Sequence, residues 1–533
     1  MAILGNMMQV PLLISSILAH AVENNPDQTI TTALDDGSLH QYTYSQFNGR
    51  VRRLAQGLMR NGVDDGCRVG TLAWNSFRHL EIYYAASGIG AICHTVNPRL
   101  HPDQIAYIIN HAEDVVLFYD LDFSALVEDL KPRCPTVRHW VALSEDEDSA
   151  LPVGAHYGDW LAEDAGSFAW PQFDENTASG LCYTSGTTGD PKGALYSHRS
   201  TVLHAYASCH SDALGISQAD TAMLVVPMFH VNAWGLPYSA LMSGAAIVMP
   251  GSNLKGDRLY SLCERAGVTL SAGVPTVWQG LLDHVHANGL AFSTLSQIMI
   301  GGAACPPGMI SAFAELNIAV RHAWGMTEVS PLGTVCRLLP KHDELDQAAR
   351  LSMLASQGRP LFGASFQLVD DNGSPVPKDG SSPGHLAVRG NWVIERYHGK
   401  DSGSDDGWFH TGDVASIDRD GYLRVLDRSK DVIKSGGEWI SSIELENFAA
   451  DHPAVAQVAC IAEPHEKWGE RPLLVIVLRP GMHATSQDIV ASLHGRVPRW
   501  SLPDRVVFVD AIPMTATGKI QKMALRQLCL AAQ

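Results

Sequence analysis

The sequence predicts an α/β protein: a large N-terminal domain of parallel βαβ sheets with a small antiparallel β unit, and a small α+β domain behind it. Three observations carry this. Short apolar runs alternate with segments of helical apolar period through the first three-fifths of the chain, the pattern of a largely parallel sheet. Beyond Pro360 the pattern changes to short alternating strands separated by turn signals. A polar break at Asp427-Arg-Ser-Lys-Asp431 then sets off a tail with its own apolar pattern, so the expected domains are 1–429 and 430–533. A chain of 533 residues is too long for one ordinary core in any case.

In order, Pro11–Leu18 is apolar but short and broken by serines, a buried helix and not a membrane span. Phe47, Val51, Leu54 and Leu58 mark a helix over about Ser45–Asn61. Val69–Trp74, Ala91–Val96 and Val115–Tyr119 read as strands, with helices near Leu80–Ala85 and Gln104–Asn110 between them. Ser144–Gly166 is acidic and irregular, a surface connection. Strands follow at Ala178–Cys182, Ala222–Pro227, Val268–Pro275, Gln297–Ala304 and from Ile318, with a helix from His198 and helical character over Asp343–Gln357. Asp370-Asp-Asn-Gly373 and Asp418-Arg-Asp-Gly421 are the turns of the antiparallel unit. The tail predicts a helix from Ser441, strands at Val455–Ala462, Leu473–Leu478 and Arg505–Val509, a helix near Gln487–His494, and a terminal helix.

Composition narrows the function. Hydrophobic content of 46% with 18% charged residues describes a globular chain. A net charge of −18 makes a nucleic-acid backbone an unsuitable partner, although a nucleotide held by local donors is compatible with it. No Lys or Arg precedes Arg50, so a positive signal-peptide region is not expected, and the final Ala-Ala-Gln carries no peroxisomal or lipidation signal. Ten scattered cysteines without C-x-x-C pairs fit reduced thiols in the cytoplasm better than disulfides or zinc. His465-Glu466 fails as a zincin start because Gly469 stands where the second histidine is needed.

The chemistry concentrates around Tyr183-Thr-Ser-Gly-Thr-Thr-Gly-Asp-Pro-Lys-Gly193. Glycines such as Gly186 and Gly189 turn backbone N–H groups inward, the hydroxyls of Thr184, Ser185, Thr187 and Thr188 add donors, and Lys192 adds a cation; together they suit a polyphosphate. The plain alternative is a flexible surface loop. A Walker loop is excluded because Pro191 precedes Lys192 and Gly193 follows it; a nucleophile elbow is excluded because Tyr183 stands where glycine is required. Met228-Phe-His-Val-Asn-Ala-Trp-Gly235 follows a strand, so His230 and Trp234 sit where α/β sheets bind ligands, with a packed core pair as the alternative. In Trp324-Gly-Met-Thr-Glu328, Trp324 offers a stacking face, Thr327 a hydroxyl and Glu328 a carboxylate suited to Mg²⁺. Asp413 could accept ribose hydroxyls and Arg428 donate to the same sugar; a surface salt bridge is the alternative. Gly518 exposes Lys519 on a turn.

These motifs stand in the order of the adenylate-forming superfamily, which the chain resembles over nearly its whole length. Asn97-Pro-Arg-Leu100, Pro227–Gly235, His322-Ala-Trp324 and Lys434-Ser-Gly-Gly-Glu-Trp-Ile-Ser441 look like the medium-chain fatty acyl-CoA synthetases of bacterial alkane metabolism, and the methylmercaptopropionate-CoA ligases are similar. The resemblance implies that an acid and ATP form an acyl-adenylate with release of pyrophosphate, and that coenzyme A then takes the acyl group. It implies Ser185, Gly186, Thr187, Thr188, Gly189, Thr184 and Lys192 on the phosphates. Gly302, Ala303, Ala304, His322, Ala323, Trp324, Gly325 and Met326 would surround the nucleotide, with Asp413, Val425 and Arg428 on the sugar side. Thr327 and Glu328, with Mg²⁺ on Glu328, Lys519 and His230 are the implied catalytic group. Trp234, Val274 and Gly301 would form the acyl pocket, with Trp234 limiting how far the tail extends. The small C-terminal domain would be mobile about a hinge at Lys430, bringing Lys434, Ser435, Gly436, Gly437 and Trp439 to CoA. The implied partners are a carboxylic acid, ATP and CoA, with no nucleic acid and no integral membrane segment; a homodimer is left open. His230 stands where amino-acid adenylation modules usually carry aspartate, and Lys519 and Glu328 argue against a non-catalytic relative. A luciferase-like oxygenase shares the motifs and is separated by an assay for light.

Overall fold

A computed structural model describes residues 3, 5–146, 151–163, 168–184, 190–401, 403, 406–436, 438–514 and 520–530. Two large sheets carry most of the chain. The first has seven strands, ordered Ala155–His156, His139–Ala142, Asp114–Tyr119, Arg68–Leu72, Ile92–Thr95, Ala178–Thr184 and Lys192–Ser197. All neighbours are parallel except the last pair, a hairpin in which Thr184 pairs with Lys192. The second has nine strands, ordered Arg359–Pro360, Leu332–Val335, Ala319–Gly325, Gln297–Ile300, Leu270–Gly273, Thr221–Leu224, Ala246–Met249, Thr29–Ala33 and Leu39–Thr43. Its centre is parallel and both edges are antiparallel. Parallel neighbours need crossover helices, which bury both faces of the strands. Ile92–Thr95, Ala246–Met249 and Leu270–Gly273 are accordingly buried at every position.

Local signals set the helices between them. In Tyr44–Arg60, Thr43 Oγ1 accepts from Gln46 N at 3.2 Å while Gln46 Oε1 accepts from Thr43 N at 2.8 Å, a reciprocal cap worth about 1 kcal/mol. Its buried stripe contains Phe47, Val51, Leu54 and Leu58. Pro102–Ala112 begins with proline at its first turn and stops where Glu113 takes φ 55°. Pro11–Leu18 contributes to Ile14–Asn24, whose Ile14, Ile17 and Leu18 are buried. None of the helices among the described residues is long and apolar enough to cross a membrane.

Two stretches differ from expectation. Ser144–Gly166 is not only a surface connection: it holds Ala155–His156 and the short helix Tyr157–Trp160, and the Tyr157 hydroxyl donates to the buried Glu81 Oε2 at 2.5 Å. Two buried aromatics in an acidic segment pin it to the core. The antiparallel hairpin Thr29–Ala33 with Leu39–Thr43 was not expected, because Thr, His and Gln dominate its half-buried faces.

Beyond Pro360 the four-stranded antiparallel sheet forms as Ala364–Val369, Gly384–Gly390, Phe409–Ile417 and Leu423–Arg428. After Arg428 the strands belong to a separate sheet, built on Val455–His465 and Gly469–Leu478 with Ile433–Ser435, Glu438–Ile440 and Arg505–Phe508. Helices Ser442–Ala450, Ser486–Leu493 and Lys522–Leu530 accompany it.

Candidate active site

A cavity of about 900 Å³ lies at the carboxyl ends of the nine-stranded sheet, where α/β folds bind ligands. Its polar wall includes Thr184, Lys192, Thr327, Glu328 and Arg428; its apolar wall includes Leu214, Trp234, Leu236, Ala272 and Met299. His230, Gly301, Gly302, Ala323, Trp324, Gly325, Met326 and Lys430 also line it.

Glu328 is only 5% exposed. The Tyr397 hydroxyl donates to its Oε1 at 2.6 Å, and the Lys192 ammonium lies 5.1 Å from the Tyr397 ring centre. Burial, then the Glu328 charge, push the Tyr397 phenol upward, so it remains a proton donor at neutral pH. The same strap is tied down by Ile394 N donating to Glu328 O at 2.9 Å and His398 N to Gly193 O at 2.8 Å. Tyr196 Oη donates to Thr327 O at 2.7 Å. The carboxylate and the hairpin lysine are therefore held by one tyrosine that sequence reading missed. Tyr397→Phe keeps the ring under Lys192 and removes one charge-assisted hydrogen bond, so adenylate formation should fall about tenfold. The check is pyrophosphate release against MgATP concentration, with MgATP binding by calorimetry; an unchanged affinity and rate would show that Tyr397 only packs.

Asp413, 3% exposed, accepts from Trp324 Nε1 at 2.9 Å through Oδ2 and pairs with Arg428 Nε at 2.9 Å through Oδ1. These two partners, which line the cavity while Asp413 itself does not, hold the carboxylate in one orientation behind them. The Trp324 ring meets Phe366 edge-on at 5.5 Å.

Trp234 reaches the cavity through strained backbone. Val231, Asn232, Ala233 and Trp234 all have φ between 48° and 56°, and Gly235 follows at 77°. Left-handed conformations cost about 1–2 kcal/mol per non-glycine residue, so the surroundings must hold them. Asn232 does so: its Oδ1 accepts from Tyr83 Oη at 3.1 Å and from Cys182 Sγ at 3.3 Å. The indole lies over glycines. A Cβ on Gly301 would stand 3.2 Å from Trp234 Cη2, and one on Gly302 would stand 3.3 Å from Val274 Cγ1. Trp234, Val274, Gly301 and Gly302 thus meet at the strand ends. Leu214, Ala272 and Met299 line the same cavity as Trp234, so the indole is one part of its apolar wall.

Other expected residues lie away from the cavity. His322 is buried, with Nδ1 donating to Ala355 O at 2.9 Å and Nε2 accepting from Cys305 N at 3.3 Å; burial lowers its pKa to about 4, so it stays neutral. Ala303 and Ala304 are not among the lining residues, and Val425 is tied by its N–H to Gln357 Oε1 at 2.7 Å. Strand alternation explains His322: it points to the face opposite Ala323. The residues expected on CoA form a separate hairpin, Ile433–Ser435 with Glu438–Ile440. There the Lys434 ammonium covers the Trp439 ring at 5.2 Å, Ser435 Oγ accepts from Arg471 Nη1 at 3.2 Å, and a Cβ on Gly436 would lie 2.9 Å from Trp468. The segment that reaches the cavity instead is Met514 with Ile520–Met523. Ser185, Gly186, Thr187, Thr188, Gly189, Gly437 and Lys519 lie outside the described residues.

A phosphate-type hairpin, a held carboxylate and an apolar lobe on one cavity define an adenylate-forming enzyme. The chain belongs to the AMP-binding enzyme family: that family's model matches residues 18–398, and the AMP-binding enzyme C-terminal domain matches 444–519. It is 50% identical over 529 residues to 3-methylmercaptopropionyl-CoA ligase of Ruegeria lacuscaerulensis, covering 98% of each chain. It is 46% identical over 530 residues to medium-chain-fatty-acid–CoA ligase of Ectopseudomonas oleovorans, covering 98% of this chain and 97% of the other. Among solved structures, the anthranilate CoA ligase AuaEII in complex with anthranoyl-AMP matches with a TM-score of 0.87 at 24% identity over 98% of each chain, a likeness of fold.

Proposed function

We propose that this chain is an ATP-dependent acid–CoA ligase that converts a medium-chain fatty acid, or a related short or medium aliphatic acid, to its acyl-CoA through an acyl-adenylate, releasing AMP and pyrophosphate. The observation that carries this is the single cavity in which Thr184, Lys192 and Glu328 share a wall system with Leu236, Ala272 and Met299. Polar donors suit a triphosphate, and the apolar lobe suits a hydrocarbon tail. The names of relatives 46–50% identical support the same reaction. A thioether acid is the second reading, favoured by the name of the 50% identical relative.

The donor set fits Mg²⁺ brought in with ATP. One buried carboxylate, Glu328, stands beside the Thr327 hydroxyl, and no group of three or more metal-type side chains occurs among the described residues. Mg²⁺ is typically held by one or two carboxylates plus substrate phosphates, not by an all-protein cage. When bound it would screen the phosphate charge. Around it, Tyr397 orients Glu328, Lys192 supplies positive charge, and Asp413 with Arg428 presents acceptors and donors at the sugar end. Residues 430–533 act in this reading as a mobile domain that exchanges the Ile520–Met523 segment for the Lys434–Trp439 hairpin between the two half-reactions. The protein is expected in the cytoplasm.

The test is CoA-dependent AMP release across straight-chain, branched, aromatic and thioether acids of about four to sixteen carbons. Activity restricted to aliphatic acids supports the first reading, a clear optimum on the thioether acid the second, and no CoA-dependent release with any acid sinks both. Trp234→Ala opens space over Gly301 and Gly302, near the reacting end. It should raise kcat/KM for acids branched next to the carboxyl, relative to straight chains, by up to about fourfold per methyl group. A uniform drop for all acids would make Trp234 purely structural.

A further inference from the structure

The apolar lobe of the cavity ends against a smaller cavity of different character. Strand registers place Ala272 beside Met299 and Met299 beside Arg321, with Leu270 beside Gln297 one row further on. Side chains alternate with a period of two, so Gly301, Met299 and Gln297 share a face and span about 13 Å along the strand. Gly301, Met299 and Ala272 line the main cavity, whereas Gln297 and Leu270 line the second, of about 240 Å³. Leu214, 5% exposed, lines both. Its carbonyl accepts from Gln297 Nε2 at 2.8 Å, which holds this turn of the chain on the sheet.

The space behind Leu214 is polar, with Arg337 and Asp220 as the charged residues of its lining. Its rim has exposed Ser211, Gly215 and Ser296, so water reaches it. Arg337 lines it, and continuing the pairing of Ala323 with Val335 puts Arg337 beside Arg321. Arg321 Nε donates to Gln297 Oε1 at 3.2 Å, and Arg337 Nε is buried without a hydrogen-bond partner. The acidic residue of this cavity, Asp220, is committed locally: Oδ1 accepts from the Thr269 hydroxyl and Oδ2 from Ser217 N and Oγ, all at 2.9 Å.

Resting on the ligase reading, we propose that Leu214 is the end wall of the acyl lobe and that the polar cavity behind it, with Arg337 in its lining, is a subsite for an anionic chain end. A hydrocarbon tail pushed past Leu214 gains little, because it enters a wet space and covers polar groups. A carboxylate at the same depth meets the Arg337 guanidinium, and arginine can hold a carboxylate through two hydrogen bonds. Opening the wall therefore selects α,ω-dicarboxylic acids over monocarboxylic acids of equal length.

The experiment compares kcat/KM for matched mono- and dicarboxylic acids of about six to fourteen carbons in wild type, Leu214→Ala, Leu214→Phe and the Leu214→Ala/Arg337→Gln double variant. Leu214→Ala should raise the diacid-to-monoacid ratio at least about tenfold at the length that reaches Arg337, and the double variant should return it toward the wild-type ratio. Leu214→Phe, which keeps the core filled, should shorten the preferred monoacid. If Leu214→Ala fails to fold by thermal melting, Leu214→Val takes its place in both comparisons. Equal responses of the two acid classes, or a ratio indifferent to Arg337, overturn the subsite; an unmoved length optimum in Leu214→Phe overturns the wall. Wild-type enzyme that activates no acid would instead defeat the ligase reading on which both rest.

Discussion

Lys519→Ala is expected to slow acyl-adenylate formation at least about 100-fold, while thioester formation from supplied acyl-adenylate survives. Adenylation presses a carboxylate against a triphosphate, so negative charge crowds one point. A cation fixed where that charge develops acts at low dielectric and needs no rearrangement during reaction. The chain on either side of Lys519 is suitably placed: Met514 and Ile520 bridge to each other, and both line the cavity with Lys192 and Arg428. The second half-reaction displaces AMP, and the local crowding that the lysine offsets has by then left with pyrophosphate. Measuring pyrophosphate burst and thioester yield separately decides the matter. Equal loss of both in a folded protein would remove Lys519 from the first step.

What the sequence made legible was local. The stripe Phe47, Val51, Leu54 and Leu58 required only its own helix, and the structure adds the reciprocal cap of Thr43 and Gln46 at its start. The hairpin of Thr184 and Lys192, Thr327, Glu328 and Arg428 lie where strands end, as the order of the motifs suggested. Asp413 instead lies in the middle of the strand Phe409–Ile417 and meets the cavity through its partners Trp324 and Arg428. Strand order across the two sheets was not legible, since parallel pairing joins residues such as Ile30 and Ile247 that no short pattern connects.

Long-range packing hid the remainder of the site. Tyr397 lies in an irregular stretch, 69 residues from the Glu328 carboxylate it orients. Val231–Trp234 contains no glycine, so nothing in its composition announces a left-handed turn; Tyr83 and Cys182, far away in the chain, impose it through Asn232. Likewise, the close approach of the Trp234 ring to Gly301 and Gly302 joins segments that no short pattern connects. His322 shows the converse, a histidine within a nucleotide motif whose strand face turns it into the core.

Lys430→Pro should keep pyrophosphate release and lower acyl-CoA formation by at least about tenfold. Lys430 stands two residues after the end of the strand Leu423–Arg428, in a turn where Asp431 N and Val432 N both donate to Arg428 O at 2.8 Å. On its far side Arg526 pairs with Asp431 Oδ1 at 2.8 Å and donates to Lys430 O at 3.4 Å, so the C-terminal helix is braced against this turn. Ser442 N donates to Asp427 Oδ2 at 2.9 Å across the same junction. With these contacts made, Met514 and Ile520 line the cavity and the Lys434–Trp439 hairpin does not. Bringing that hairpin in requires backbone rotation between the two sheets, and Lys430 lines the cavity at their junction together with Arg428 and Asp431. Proline fixes φ near −65° and restricts Ser429 before it, which obstructs rotation; Lys430→Ala, which removes the same cavity-lining side chain without fixing φ, separates the two effects. The discriminating measurement is the ratio of pyrophosphate to acyl-CoA produced per enzyme in a single turnover. A high ratio places the hinge at Lys430, whereas parallel loss of both products with the fold intact moves it elsewhere in the chain.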